Sequence, residues 1–290
     1  TVVAEVARRE DVSRALAGAS EPHPAQGVGD QSPETELAPN LYWTSVDPQV
    51  ALEEYLIDQL PMRGLAELLL SSRLFSYLAA ATPGLRELVT VGKLWELAQD
   101  QRRTRGAQPY DLVIVDAPAT GHALALLQAP RTFADVARVG PIHRQATIIH
   151  RTLTDPALSG VLAVATPSEM PVSETLSLQR SLSEQMGLAL DRVVVNEVLS
   201  QRFSVEDVRT LTDAVNPADD PSRASATDRS AAAAVQAAIS SHHRAREQRR
   251  QIARLRRATG VTPASLPFLF CSELAAEEVG VLADRLERVL

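Results

Sequence analysis

Several features that would point to particular functions are scarce in this chain. It has one cysteine, Cys271, which excludes an intramolecular disulfide framework and a CxxC zinc site. Its formal net charge of −7 argues against a general nucleic-acid binder, which normally carries a basic surplus. No apolar run approaches the roughly 18 to 20 residues of a membrane span, and no signal peptide is visible. Together these absences predict a soluble, cytoplasmic protein.

Aromatic residues are also few, at 4% of the chain, whereas hydrophobic residues as a whole make up 45%. The 290 residues are enough for one large domain or two small ones, with a core packed mainly by aliphatic side chains. The chain opens within an apolar stretch, 1–6, that is typical of a strand from the middle of a sheet. We therefore expect the beginning of the domain to be missing.

The most informative stretch is Tyr110 to Leu127, YDLVIVDAPATGHALALL. A branched apolar run ends in a carboxylate at Asp116, passes through a short turn and continues as a helical pattern of Ala and Leu. This order predicts a buried strand, a loop and a helix. A carboxylate at the tip of a buried strand is costly unless it holds a cation or a hydrogen-bond network. In open α/β sheets that tip is also where ligands bind.

Other apolar runs predict further strands. A short strand is predicted at 41–46, and the strands predicted near 1–6, 110–116, 160–166, 190–196 and 265–270 are apolar throughout. Continuous apolar strands that alternate with helices are typical of a parallel sheet covered on both faces. Asp116, Thr166 and Asn196 would then share the carboxyl edge of that sheet. We predict the functional site at this edge, where the amide of Asn196 has the donor and acceptor needed to recognise a purine.

Helical patterns at 48–105 form an insert between two of the predicted strands. Asp47 is predicted to cap the first of these helices, with Pro48 at the first helical position. Gly92 and Lys93 are predicted to belong to a helix rather than to a phosphate-binding loop, because the glycine-rich lead and the following Ser or Thr are absent.

Three other segments are predicted from composition. Residues 21–40 are rich in Pro, Gly, Gln and Ser, which predicts a mobile loop. A linker is predicted at 216–230. The helix predicted at 231–258 carries many arginines, which in a net acidic chain favour a solvated face over a binding surface.

Asp116 to His122 has the sequence D-A-P-A-T-G-H. It resembles the switch II motif of the ArsA class of ATPases, usually D-T-A-P-T-G-H followed by a Leu-rich helix. This family includes arsenite-pump ATPases and the ATPases that target tail-anchored membrane proteins. Further stretches resemble the family in the same order along the chain: TPGLREL at 82–88, TPSEMPVSET at 166–175, VVVNEV at 193–198 and LPFLFCSEL at 266–274.

The resemblance implies one P-loop NTPase-like α/β domain over 1–290, with a mostly parallel sheet, helices on both faces and the helical insert. It implies an ATPase that uses ATP or ADP with Mg²⁺, in which Asp116 lies near the magnesium ion through a bound water. Thr120, Gly121 and His122 would form a switch that senses the γ-phosphate and passes its loss into the following helix.

The resemblance also implies a base site and partners. Asn196 would contact adenine, and Pro267 and Phe268 would wall the base. The insert at 48–105 would contact a client or partner. The family's usual assembly implies a homodimer or a heterodimer with a paralogous ATPase, with a protein client or a membrane partner and no nucleic acid.

The sequence departs from the family in several respects, one of which is Ala117-Pro118-Ala119 in switch II where the commoner form has Thr-Ala-Pro. The glycine-rich Walker A loop precedes the strand that is 1–6 here, and no such loop occurs in this sequence. The family's switch I Asp is replaced, and the residues leave open whether Glu5 or Asp11 substitutes for it. The cysteine cluster and the dimer-bridging CxxC are absent, so no arsenite or zinc site is expected.

Two functional classes therefore stay open at the level of sequence. One is a magnesium-dependent ATPase whose phosphate-binding loop lies upstream of 1–6, and the other is a degenerate, non-hydrolysing partner subunit of a paired ATPase. A third reading, a ParA or MinD-like partitioning ATPase, is disfavoured by the T-G-H switch and by the insert. For the chain as given we expect weak or no ATP hydrolysis.

Overall fold

A computed structural model of the protein describes residues 1–6, 10–16, 34–59, 68, 70–72, 81–103, 107, 109–214 and 226–289. The strands in this part of the chain are β1 Val2–Val6, β2 Thr35–Ala38, β3 Leu41–Val46, β4 Val113–Asp116, β5 Leu162–Ala165, β6 Arg192–Val198 and β7 Ala264–Pro267. The helices are α1 Asp11–Leu16, α2 Pro48–Gln59, α3 Leu85–Leu97, α4 Thr120–Ala137, α5 Pro141–Thr154, α6 Glu169–Met186, α7 Val205–Ala214, α8 Ala226–Thr259 and α9 Ala276–Glu287.

The described strands form two sheets. The first has the strand order β2-β3-β1-β4, and the second has the order β5-β6-β7. β1 pairs in parallel with β3 and β4, β6 pairs in parallel with β5 and β7, and the β2 and β3 pair is antiparallel. The predicted α/β class, with mostly parallel strands flanked by helices, is confirmed.

The chain divides into two compact units, which are described separately. The first unit comprises Thr1–Gly160, Ser181–Leu188 and Glu273–Val279, and the second comprises Val161–Arg180, Ala189–Ser272 and Gly280–Leu290. Asp116 belongs to the first unit, whereas Thr166 and Asn196 belong to the second. Their common edge in one sheet stays a prediction.

A hydrophobic core cluster of the first unit packs against one face of its sheet. Ala4, Val6 and Val46 point to this face, since side chains alternate along a strand. They pack with buried residues of the flanking helices: Ala51 of α2, Val89, Val91, Leu94 and Leu97 of α3, Leu126 of α4 and Ile149 of α5. The aliphatic core expected from the low aromatic content is confirmed.

Three local predictions need correction or lie outside the described residues. Thr35–Ala38 lies in the stretch predicted as a loop but forms the edge strand β2, because pairing with β3 outweighs its weak apolar pattern. The helix predicted to start at 231 begins earlier, at Ala226, while 216–225 of the predicted linker lie outside the described residues. Most of 60–80, in the middle of the predicted insert, also lies outside them.

The insert is confirmed at its two described ends, α2 and α3. Asp47 caps α2 as predicted, because its Oδ1 accepts the backbone N–H groups of Gln49 at 2.6 Å and Val50 at 3.3 Å. Lys93, the only lysine in the sequence, lies within α3 as predicted. Its ammonium group is buried against Glu54 at 2.8 Å. Among the described helices, none is both long enough and apolar enough to cross a bilayer.

An ion-pair network joins the start of β2, the end of α3 and the approach to β4. The Arg102 guanidinium donates two hydrogen bonds to Glu34, at 2.6 and 2.7 Å, and two to Glu96, at 3.2 and 3.3 Å. The hydroxyl of Tyr110 donates to Glu34 at 2.6 Å, and its ring centroid lies 5.2 Å from the Arg102 guanidinium carbon. The Arg102 side chain is fully buried, so this network connects three elements that are distant in sequence.

Candidate functional site

The stretch around Asp116 forms a strand, a loop and a helix in the predicted order. The expectation of a buried strand is wrong for β4, because β4 lies at the edge of its described sheet, where Ile114 is 46% and Val115 is 38% exposed. Asp116 is the last residue of β4, and its Cα is the register partner of Glu5 on β1. The side chain of Asp116 is partly buried. Thr120 begins α4, and Gly121 and His122 follow in its first turn. The structure therefore brings the four predicted catalytic residues to one junction, while their roles stay predictions.

The N-terminus of α4 has no side-chain cap. Ala119 occupies the N-cap position with φ −53° and ψ 154°, and its methyl group cannot accept a hydrogen bond. Its carbonyl oxygen accepts the backbone N–H groups of His122 at 2.9 Å and Ala123 at 3.1 Å. The side chain at the N-cap position therefore satisfies none of the first N–H groups of α4. The positive end of an 18-residue helix favours an anion at this position.

Gly121 has no internal packing reason to be glycine. A Cβ atom built on it would meet no atom within 4 Å of the described chain. Glycine costs about 1 kcal/mol relative to alanine within a helix. A ligand that approaches the backbone closely would account for a residue without a side chain at this place.

Glu5, one strand away from Asp116, is completely buried. Its Oε1 accepts the backbone N–H groups of Asp11 at 3.1 Å and Val12 at 3.3 Å, and its Oε2 accepts the indole N–H of Trp43 at 2.5 Å. Both carboxylate oxygens therefore satisfy donors of α1 and β3. This contact set favours a structural role for Glu5 over the catalytic role that the sequence left open, and Asp11 stays the other candidate.

We expect Glu5→Gln to lower the free energy of unfolding by about 2 to 3 kcal/mol, because one buried N–H donor would face an amide NH₂ instead of an oxygen. Both tryptophans, Trp43 and Trp95, lie in the first unit, so their fluorescence during urea unfolding measures its stability. Glu10→Gln is the matched control, because Glu10 is an exposed carboxylate in the same connection. Equal stabilities of the two variants would contradict the structural role of Glu5.

In the second unit, Asn196 lies in an irregular turn of β6. The register between β6 and β7 shifts between Val195 and Val198, so the two intervening residues form a bulge. The Asn196 Oδ1 accepts the backbone N–H of Glu197 at 2.9 Å, which leaves the amide NH₂ of Asn196 as a donor for a ligand. Bulges of this kind occur next to active sites, where they redirect a side chain.

Pro267 and Phe268 lie directly beside this bulge. Pro267 is the register partner of Val198, and the backbone N–H of Phe268 donates to the Val198 carbonyl at 3.0 Å. The structure therefore brings together the three predicted base-site residues, Asn196, Pro267 and Phe268, within the second unit. Their contact with a base stays a prediction.

Two further residues at this place were not predicted from the sequence. The rings of Phe268 and Phe270 meet edge to face, with centroids 4.9 Å apart. The guanidinium carbon of Arg202 lies 4.8 Å from the centroid of Phe270, whose side chain is 71% exposed. The two closely spaced phenylalanines were a signal for Phe270. Arg202 lies in a loop without periodicity, so no local signal identified it.

A magnesium ion fits the Asp116 junction only with help from a ligand. Among the residues that the structure describes, no group of three His, Cys, Asp or Glu side chains is arranged to hold a metal. Mg²⁺ usually keeps several waters and binds one or two carboxylates together with substrate phosphates. One carboxylate, Asp116, beside an uncapped helix N-terminus matches that mode of binding.

The chain is similar to known ATPases. The sequence model of a family described as "Anion-transporting ATPase" matches residues 28–147, which include Asp116 and His122. The protein named "ATPase BagA" of Mycobacterium tuberculosis is 30% identical over 138 residues, 47% of this chain and 39% of the relative. A Halobacterium salinarum protein, provisionally named an arsenical pump-driving ATPase, is 28% identical over 102 residues, 32% of this chain and 16% of the relative. The aligned part of the chain thus spans less than half the length of these relatives.

Proposed function

We propose that the chain is a member of the ArsA-class ATPase family, that it binds ATP with Mg²⁺, and that it couples the nucleotide state to a client or partner through the Asp116–His122 junction. The comparisons support an ATPase in general terms. The finer statement rests on the geometry of the junction, where a strand-tip carboxylate is followed by an uncapped helix start.

The observation that carries this proposal is the combination of Asp116, the uncapped N-terminus of α4 and Gly121. Asp116 would hold a water of a phosphate-bound Mg²⁺ ion, which when bound neutralises charge on the transferred phosphoryl group. The backbone N–H groups at Thr120 and Gly121 would donate to the γ-phosphate. Loss of that phosphate would remove the anion that stabilises the helix start.

The described contacts offer a route from the switch helix to the insert. α4 packs against both α3 and α5. A Cβ built on Gly84, the N-cap residue of α3, would lie 3.2 Å from the Phe133 ring of α4. A shift of α4 on phosphate release would therefore act directly on the last helix of the insert. We propose that the insert at 48–105 is the surface that contacts the client or the partner subunit, either a second copy or a paralogue.

The base would be recognised in the second unit by Asn196, Pro267 and Phe268. The NH₂ of Asn196 suits a ring nitrogen of adenine, and the exposed Phe270 adds an aromatic surface on which a base can stack. The stacked Arg202 guanidinium adds positive charge beside that surface.

The alternative is a degenerate, non-hydrolysing partner subunit of a paired ArsA-like ATPase. The only lysine of the given sequence, Lys93 of α3, is buried and paired with Glu54 of α2 and Glu96 of α3. Its ammonium group is therefore buried in ion pairs and is not placed to bind phosphate. On this alternative the chain binds nucleotide weakly and relies on a paired, active relative.

Calorimetric titration of the complete protein with ATP, with and without Mg²⁺, tests the proposal. We expect ATP to bind at least about tenfold more tightly with Mg²⁺ than without it, because the ion would neutralise phosphate charge and Asp116 would hold one of its waters. Binding without any response to Mg²⁺ would favour the partner subunit. Absence of ATP binding in both conditions would overturn the nucleotide site altogether.

The variant Gly121→Ala distinguishes an effect on folding stability from an effect on ligand affinity. The added methyl group has room and raises helix propensity, so we expect the free energy of unfolding to rise by up to about 1 kcal/mol. We expect affinity for Mg·ATP to fall at least about tenfold, since the methyl group would occupy space needed by phosphate. Tryptophan fluorescence during urea unfolding and calorimetry measure the two effects.

The control for this variant is Gly280→Ala in α9. Gly280 is also helical, and a Cβ there also meets nothing within 4 Å. It should gain similar stability without loss of ATP affinity. An unchanged ATP affinity in Gly121→Ala would remove this glycine from the phosphate site.

A further inference from the structure

The β6 bulge contains a residue in an unfavourable backbone conformation. Glu197 has φ 61°, in the left-handed region that non-glycine residues other than Asn and Asp seldom adopt. Such a conformation persists only where surrounding contacts hold it, and it is commonly found at functional sites. Glu197 directly follows Asn196, so whatever holds Glu197 also sets the direction of the Asn196 side chain.

Gln248 of α8 supplies these contacts. Its Oε1 accepts the backbone N–H of Leu199 at 2.8 Å, and its Nε2 donates to the carbonyl oxygen of Glu197 at 3.1 Å. One side-chain amide therefore bonds to the backbone on both sides of Val198. Both functions of the amide are needed, since a carboxylate could not donate and an ammonium could not accept.

A second contact from α8 holds the far end of the same loop. The Nδ1 atom of the buried His242 ring is hydrogen-bonded to the carbonyl oxygen of Phe203 at 2.9 Å. Between these two attachments lies Arg202, whose guanidinium stacks on Phe270. α8 therefore holds the segment 197–203 at both ends through hydrogen bonds. This segment directly follows Asn196 and carries Arg202, so it belongs to the proposed base site.

We infer that Gln248 is a positioning residue for recognition of an adenine base, acting by holding the strained Glu197 backbone so that the Asn196 amide faces the base. This inference rests on the proposed function of Asn196. It adds a residue of α8 to the base site. It also gives this long helix a direct connection to base binding.

Calorimetric titration with adenosine and, separately, with inorganic tripolyphosphate tests the inference. Loss of two hydrogen bonds in Gln248→Met should weaken adenosine binding about tenfold and leave tripolyphosphate binding unchanged. Gln251→Met is the matched control, because Gln251 lies on the same helix and bonds to the surface residue Glu247. It should bind adenosine like the wild type.

A rescue variant distinguishes positioning from general stability. Glycine adopts φ 61° without penalty, so adding Glu197→Gly to Gln248→Met should recover part of the adenosine affinity. In ¹H–¹⁵N spectra of the ligand-free protein, Gln248→Met should shift the side-chain NH₂ signals of Asn196, and Gln251→Met should not.

The outcomes separate this inference from the function on which it rests. If Asn196→Ala weakens adenosine binding but Gln248→Met does not, only the positioning role of Gln248 is overturned. Unchanged Asn196 NH₂ signals in Gln248→Met overturn it as well. If the wild type binds no adenosine, or if Asn196→Ala binds it normally, the proposed base site fails and the inference fails with it.

Discussion

Asp116→Asn is expected to reduce Mg²⁺-dependent ATP turnover of the complete protein at least about 100-fold, a loss typical of removing one charge-stabilising group from an active site. The amide keeps the size of the carboxylate but loses its negative charge. It would therefore hold the hydrated magnesium ion less well. Phosphate release under steady-state conditions measures the effect.

The fold should survive this substitution, because Asp116 lies at the end of a strand and is only partly buried. Asp111→Asn is the control, since Asp111 is an exposed carboxylate just before the same strand. It should retain wild-type turnover. Unchanged turnover in Asp116→Asn would remove Asp116 from its proposed role, whereas loss of the circular dichroism signal would show that Asp116 is needed for folding.

Arg102→Met is expected to lower the free energy of unfolding of the first unit by about 3 to 5 kcal/mol. Methionine fills much of the buried volume, but it leaves the carboxylates of Glu34 and Glu96 without the guanidinium that both now contact. Removing one partner of a buried ion pair lowers the free energy of unfolding by more than the intact pair contributes to it, because the remaining charges stay desolvated. Tryptophan fluorescence during urea unfolding measures the loss.

The pH dependence of this loss follows from Glu34. Burial raises the pKa of the Glu34 carboxyl, but hydrogen bonds from Arg102 and Tyr110 outweigh burial, so its pKa lies below the ordinary value of 4.5. A lowered carboxyl pKa contributes stability that is fully present above pH 4.5 and is lost as the pH falls through the lowered value. The difference between wild type and Arg102→Met should therefore shrink in acid.

Arg103→Met is the matched control for this network. Arg103 is the next arginine and is exposed, with a side-chain hydrogen bond to Gln145 at 3.2 Å. Surface contacts of this kind contribute about 0 to 1 kcal/mol. A loss in Arg102→Met no larger than that of the control would show that the network contributes little to stability.

Much of the fold could be predicted from local pattern. The strands at 1–6, 110–116 and 190–196 are continuous apolar runs long enough to form ladders, and they appear as β1, β4 and β6. β2 could not be predicted, because T-E-L-A has almost no apolar pattern and becomes a strand only by pairing with β3. The start of α8 was missed because polar residues at its beginning are typical of a linker as well as of a helix.

The residues of the candidate site also divide into those that a local sequence motif reveals and those that only the fold brings together. Asp116, Thr120, Gly121 and His122 are adjacent in sequence, so a motif reveals them together and the structure needs only one turn to join them. Asn196 and Phe268 are far apart in sequence, and the family resemblance was required to connect them. Gln248 had no signal, because a glutamine on a polar helix is ordinary until the strand beside it is known.

The order of amino acids by itself determined which segments are apolar enough to be strands and where a carboxylate ends a strand. These properties depend on residues close together in the chain. The tertiary structure alone decided that Glu5 caps α1 and binds Trp43, that Arg102 joins Glu34 to Glu96, and that Gln248 holds the turn after Asn196. Each of those depends on the distance between groups that only folding brings into contact, and hydrogen bonds and ion pairs act over a few ångströms.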